Sequence, residues 1–176
     1  MRKPSKILVA YASGFGTTAE VAQTIAAELS AEGAVAETKQ ISDISGVAGY
    51  DAVIVGSAIR YDKWLPEATE FVRGNQEALG KLPVAFFFTC LALSVQSEKA
   101  SQQGQVYAEK LSAAFPHVKP AGIGRFAGVL DYRKIPLLPR LAAKIAFAFL
   151  GVKEGDHRNW PAIRSWASST NIQLST

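Results

Sequence analysis

Three short apolar runs constrain this chain more than any other feature. They are Lys6-Ile7-Leu8-Val9-Ala10-Tyr11, Asp51-Ala52-Val53-Ile54-Val55-Gly56, and Pro83 to Thr89, which carries Phe86, Phe87 and Phe88. A strand with one wet face alternates apolar and polar residues. These runs do not, so each must be covered on both faces, as in a parallel sheet between two layers of helices. The intervening stretches have helical periodicity. Thr17 or Thr18 can cap a helix with Val21, Ile25 and Leu29 on one face, and Gly33 ends it. Pro66 suits the first turn of a helix running to about Leu79. Further helices are predicted over 101–114 and from Trp160 or Pro161 to about Ile172. Val35 to Ile41 reads as a partly exposed strand, and Val118 to Phe126 as a fifth strand weakened by Pro120 and two glycines. The expectation is an α/β fold, a doubly wound five-stranded parallel sheet, with ligands outside the carboxyl ends of the strands.

The length of 176 residues suits one domain, spanning 1–176, and no repeat or linker interrupts it. The apolar share of 48% and charged share of 19% exclude a disordered or fibrous chain. The one cysteine, Cys90, excludes a disulfide framework and a multi-cysteine metal centre. No metal site is expected, because His117 and His157 are isolated and read as structural or exposed. Met1 to Pro4 is basic, but the apolar run behind it is too short for a secretory signal. No run is long enough to span a bilayer. The expected location is cytoplasmic.

The segment of about 132–159 breaks the alternation and reads as a helical insertion before the last helix. Asp131 to Arg164 holds seven basic residues against three acidic ones, which accounts for the whole net charge of +4. Within it, Leu138, Leu141, Ile145 and Phe149 share one helical face, and Arg140 and Lys144 another. Such a helix suits a membrane surface or a partner. Packing on its own domain or in a homodimer interface remains open.

Three loops carry the chemistry. Ser13-Gly14-Phe15-Gly16-Thr17-Thr18 joins a buried strand to a helix, where free N–H groups and the helix dipole receive a phosphate. Ser13, Thr17 and Thr18 add hydroxyls, and Gly14 and Gly16 permit close approach. No lysine follows Gly16, so this is not a nucleotide-triphosphate loop, and the third glycine of a dinucleotide fingerprint is replaced by Ala19. The second loop is read as Gly56 to Trp64, offering Arg60 and two aromatic rings for stacking on a flat ligand. The third is Thr89 to Ser94, in which Cys90 reads as a small buried side chain rather than a reactive thiol.

In order and spacing, these loops resemble the three FMN-binding loops of the flavodoxin superfamily, and the resemblance covers the whole chain. It implies strand order 2-1-3-4-5. Gly56 to Tyr61, Ala127 to Tyr132 and the basic apolar insertion are similar to menaquinone-dependent protoporphyrinogen oxidases within that superfamily. By that resemblance Ser13, Gly14, Phe15, Gly16, Thr17 and Thr18 hold the FMN phosphate. Ala58, Ile59, Arg60 and Tyr61 line one side of the isoalloxazine, and Thr89, Cys90, Leu91 and Ala92 the other. Phe15 stands where flavodoxins favour Thr, so one hydroxyl contact is missing.

The implied activity is an FMN-dependent oxidation of protoporphyrinogen IX, a step of haem biosynthesis, with electrons passed to menaquinone or another membrane quinone. The flavin does the chemistry, so no catalytic acid–base residue is expected. Arg60 is a candidate contact to the substrate or to the reduced flavin. Peripheral contact with the inner face of the cell membrane would run through the basic insertion, and no nucleic-acid partner is expected. A flavodoxin-type electron carrier, an NAD(P)H:quinone reductase and a flavin-free interaction module remain as alternatives.

Overall fold

A computed structural model describes residues 5–175; the basic stretch Met1 to Pro4 lies outside the described residues. The chain runs β1 (Lys6–Ala12), α1 (Thr17–Ala31), β2 (Val35–Gln40), β3 (Ala52–Arg60), β4 (Lys63–Trp64), α2 (Pro66–Gly74), α3 (Gln76–Leu79) and β5 (Val84–Cys90). It continues through α4 (Glu98–Ala114), β6 (Ile123–Ala127), β7 (Val129–Leu130), α5 (Leu137–Phe149), β8 (Gly155–Asp156) and α6 (Trp160–Gln173). Five parallel strands pair in the order β2-β1-β3-β5-β6, which is the expected 2-1-3-4-5 arrangement.

The three apolar runs occupy the centre of the sheet, and their residues alternate between two cores. Leu8, Val53, Val55, Phe86 and Phe88 pack with Val72, Tyr107, Leu111 and Phe115 on one face. Ile7, Val9, Ile54, Ala85 and Phe87 pack with Val21, Ile25, Leu29, Ile163 and Ala167 of α1 and α6 on the other. All seven residues of β5 are buried. β2, at the sheet edge, keeps the partly exposed pattern that its mixed sequence predicts.

Gly56 marks where two strands interlock. A Cβ built there would lie 1.9 Å from Cζ of Phe87, whose ring fills the space beneath it. The glycine on β3 and the phenylalanine paired with it on β5 are therefore one packing unit.

Several boundaries differ from the sequence reading, each for a physical reason. The second loop is mostly strand: β3 continues through Arg60, reverses over Tyr61 and Asp62, and returns as β4. Both turn residues have positive φ, 50° and 62°, the geometry of a two-residue hairpin turn that follows strand twist. Trp64 thereby leaves the loop for the core, where its ring meets Phe86 at 5.2 Å and Phe115 at 6.1 Å. The helix from Pro66 is broken at Asn75. The next begins at Glu98 because Ser97 caps it, its Oγ accepting from the Ala100 N–H at 3.1 Å. Neither Thr17 nor Thr18 caps α1. Gly16 does so in the left-handed region at φ 85°, and both threonines lie inside the first turn. The sixth strand starts only at Ile123, past Pro120 and Gly122.

We expect Gly56→Ala to destabilise the protein by about 1–3 kcal/mol through overpacking. Combined with Phe87→Leu the loss should be smaller than the two single losses added, because the ring is what the new methyl strikes. Urea denaturation of the four proteins measures this.

Candidate functional site

β1, β3 and β5 end side by side, and the loops that leave them surround a cleft of about 730 Å³. Thirteen of the fourteen residues singled out from the sequence line it: Ser13, Gly14, Phe15, Thr17, Thr18, Ala58, Ile59, Arg60, Tyr61, Thr89, Cys90, Leu91 and Ala92. Gly16 is not among the lining residues; it shapes the turn that presents the others.

The polar end is the loop before α1. Helical geometry leaves the N–H groups of Thr17, Thr18 and Ala19 without acceptors inside the helix. The Ser13 Oγ accepts from the Gly16 N–H at 3.0 Å and holds the loop in a tight bend. Such an end accepts an anion. The Thr18 hydroxyl is engaged differently from the sequence expectation. It lies 2.8 Å from the Thr89 hydroxyl, both buried, and ties the first loop to the end of β5.

Beyond that end the walls are mostly apolar. The β3–β4 hairpin supplies Ala58 to Tyr61 and is pinned from within, since the buried Ser57 Oγ accepts from the Leu65 N–H at 3.0 Å. Its turn is pinned from α4, where the Tyr107 hydroxyl donates to the Asp62 carboxylate. Burial, and then that hydrogen bond, push the Tyr107 phenol up to about 12. It therefore remains a donor throughout the neutral range. Burial also pushes the Cys90 thiol up, against the N–H groups of Ala92 and Leu93 that favour its charged form. Cys90 is a buried thiol, as its sequence setting suggests. Arg60 lies over the Phe15 ring, 5.2 Å from its centroid, and reaches across Gly14. Tyr61 is 91% exposed at the hairpin tip, while Trp64 is buried in the core and lines no part of the cleft.

The remaining wall was not visible in sequence. It comes from β7 and from residues 134–147: Leu130, Lys134, Ile135, Pro136, Pro139 and Phe147 also line the cleft. Two ties hold this segment against the first loop. The Lys134 Nζ donates to the Phe15 carbonyl at 2.9 Å. Arg158, its side chain only 7% exposed, donates to the Thr17 carbonyl at 3.2 Å, pairs with Glu20 at 2.8 Å and Asp156 at 2.7 Å, and stacks on Trp160 at 4.4 Å. Arg140 folds back onto the carbonyls of Ile135 and Arg133. The basic stripe predicted on the helix is thus partly spent on the protein itself. No cluster of metal-ligating side chains occurs among the described residues.

Thr18→Val should cost about 1–3 kcal/mol, because it leaves the Thr89 hydroxyl buried without its partner. Thr18→Val combined with Thr89→Val should recover much of that loss, and denaturation midpoints of Thr18→Val, Thr89→Val and the double variant test the coupling.

Comparison with known proteins agrees with this geometry. Curated relatives include a protoporphyrinogen IX dehydrogenase (quinone) of Escherichia coli K12, 27% identical over 95% of this chain and 92% of that protein. Another, from Leishmania major, carries the same name and is 28% identical over 93% of this chain and 73% of its own. Among solved structures, a short-chain flavodoxin associated with a bacterial microcompartment superposes with a TM-score of 0.58 at 11% identity, covering 97% of this chain and 99% of that one. Megasphaera elsdenii flavodoxin gives 0.52 at 19% identity over 68% of this chain and 84% of its own. The family model described as Flavodoxin domain matches residues 8–154, so with its sheet order and strand-end cleft this chain belongs to the flavodoxin domain family.

Proposed function

We propose that the protein is an FMN-dependent oxidoreductase that oxidises protoporphyrinogen IX and passes the electrons to a membrane quinone, menaquinone in particular. The observation that carries this reading is the cleft itself. It joins an anion-accepting loop at one end to apolar walls, and one wall is built by the segment 134–147. The names of the curated relatives support the substrate and the acceptor.

The residues present fit FMN. Ser13 to Thr18 would hold the phosphate, with unpaired N–H groups at the start of α1 and the Ser13-braced turn. Ala58 to Tyr61 and Thr89 to Ala92 would flank the isoalloxazine from two strand ends. FMN supplies the two-electron redox chemistry when bound. The protein binds, orients and excludes water. The Tyr107–Asp62 bond and the Ser57–Leu65 bond fix one wall, and the Thr18–Thr89 bond fixes the distance between the polar end and the other. Arg60 has no carboxylate within ion-pair distance among the described residues, so its charge is available to a propionate of the substrate or to the reduced flavin.

The acceptor is dissolved in lipid, and the outer face of α5 supports a peripheral contact there. Leu138 is 96% exposed and Phe149 95% exposed, with Leu137, Leu141, Ile145 and Leu150 also in solvent. The helix carries no acid. Lys144 and Lys153 are exposed in the same segment, which suits an anionic surface. No helix of the described residues is long and apolar enough to cross a membrane.

The test is anaerobic. The full chain loaded with FMN should bleach on addition of protoporphyrinogen IX and recover when a menaquinone analogue is added. Bound FMN that does not bleach would reject the substrate and favour a carrier or a quinone reductase. For the surface, Leu138→Ser with Phe149→Ser should lower binding to anionic vesicles several-fold with little change in thermal stability, since both side chains are already in water. Unchanged binding would remove α5 from the membrane contact.

A further inference from the structure

The phosphate loop has no cation in its own sequence, because no lysine follows Gly16. The fold brings one from 119 residues away. Lys134 ends a single helical turn, Tyr132–Lys134, that the chain braces on three sides. The Asp131 carboxylate accepts from the Arg133 N–H at 2.9 Å, the Asp131 carbonyl accepts from the Lys134 N–H at 3.1 Å, and the Glu154 carboxylate accepts from the Tyr132 N–H at 3.2 Å. From that braced position the Lys134 Nζ reaches the Phe15 carbonyl at 2.9 Å, in the middle of the loop and on the lining of the cleft.

The nearby acids form their ion pairs with arginines and not with this ammonium. Asp131, the acid beside it in sequence, is engaged by Arg133 at 3.0 Å, and Glu20, on the first turn of α1, is engaged by Arg158 at 2.8 Å. Among the described residues Lys134 pairs with no carboxylate. An ammonium carries three N–H donors, and one neutral carbonyl uses one of them. The other two are left for an acceptor at a cleft end whose backbone donors also lack one. Phe15 meanwhile supplies no hydroxyl to that end, so a donor from elsewhere has room and purpose there.

We propose that Lys134 is the counterion of the phosphate loop, a binding residue that recognises the phosphate monoester of the flavin rather than its ring. The proposal rests on the reading of FMN as the ligand. It assigns part of the basic segment to cofactor recognition and sets this chain's loop apart from one that relies on backbone and hydroxyl donors alone.

Titration of the flavin-depleted full chain with FMN and, separately, with riboflavin tests it, followed by the quenching of flavin fluorescence. Riboflavin has the same ring without the phosphate. At low salt Lys134→Met should weaken FMN about fivefold, the upper range for a partly exposed charge pair, and leave riboflavin unchanged. Lys134→Arg should retain FMN affinity. Lys153→Met, which removes an equal charge from the same segment, should have no effect. In about 1 M salt, where screening acts within about 3 Å, the gap between wild type and Lys134→Met should close. Equal losses for FMN and riboflavin would make Lys134 a structural tie and overturn the proposal, as would a loss matched by Lys153→Met or no loss at all. Wild-type protein that binds neither flavin would overturn the cofactor reading itself, whereas wild-type binding of FMN that survives Lys134→Met overturns only the role of Lys134.

Discussion

Burial of the central strands on both faces is the constraint on which everything else depends. β5, the middle of β1 and the first six residues of β3 are buried, and their backbone polar groups are spent on neighbouring strands. A polar ligand cannot enter such a sheet. It can only meet the chain where the strands stop, and parallel strands stop together at one edge. The crossing from one side of β1 to the other opens a crevice there. The site is therefore a consequence of the packing that makes the sheet stable. Gly56 shows how tightly the two are joined: the residue that lets Phe87 pass beneath β3 lies just before the stretch that forms a cleft wall.

The sheet and the first loop were legible in sequence because they follow from local patterns. Unbroken apolar runs mean two covered faces. A small, hydroxyl-rich loop between a strand and a helix means a tight turn onto a helix N-terminus, which is what the structure has. The hairpin at Tyr61 and Asp62 was not legible, because its positive φ values fall on residues other than glycine and asparagine. Its stability comes instead from the hydrogen bond between Asp62 and Tyr107, forty-five positions apart. Trp64 was misplaced for the same reason. In a loop its ring would be available to a ligand, but as the partner of Ile59 in a hairpin it points into the core between Phe86 and Phe115. The Thr18 hydroxyl looks like a phosphate donor in sequence, yet its nearest partner is another buried hydroxyl.

Charge was legible as a total and not as a distribution of work. The sequence places the whole net charge between Asp131 and Arg164, and that count alone suggests a uniform basic face. In the fold these residues separate. Arg158 is buried and cements α6 and β8 to the first turn of α1. Arg140 satisfies carbonyls ahead of its own helix, where α5 lacks a capping side chain. Lys144 lies 5.4 Å over the Tyr132 ring. Lys134 is turned onto the phosphate loop with no acid paired to it among the described residues. The signal that distinguishes them is pairing with acids such as Glu20 and Asp156. Those pairings depend on how the segment returns to the domain, which no local pattern encodes.

The two sides of α5 differ in what they meet at the mouth of the cleft. Phe147 and Pro139 line the cleft, while Leu138, Leu141, Ile145 and Phe149 remain in solvent. A helix that only packed on its domain would bury the longer apolar side. This one has no buried residue: Phe147 is half-buried, and the surface that costs most in water stays exposed. Removing that surface from water stabilises whatever covers it, and an anionic lipid surface would at the same time meet the exposed lysines of the segment. The cleft and the lipid would then share one wall about a single helix diameter thick, roughly 10 Å. On the proposed reading, a quinone reaching the flavin from the membrane would pass along the helix rather than through open water, and the Lys134 and Arg158 ties to the first loop would hold that helix at a fixed place beside the cofactor.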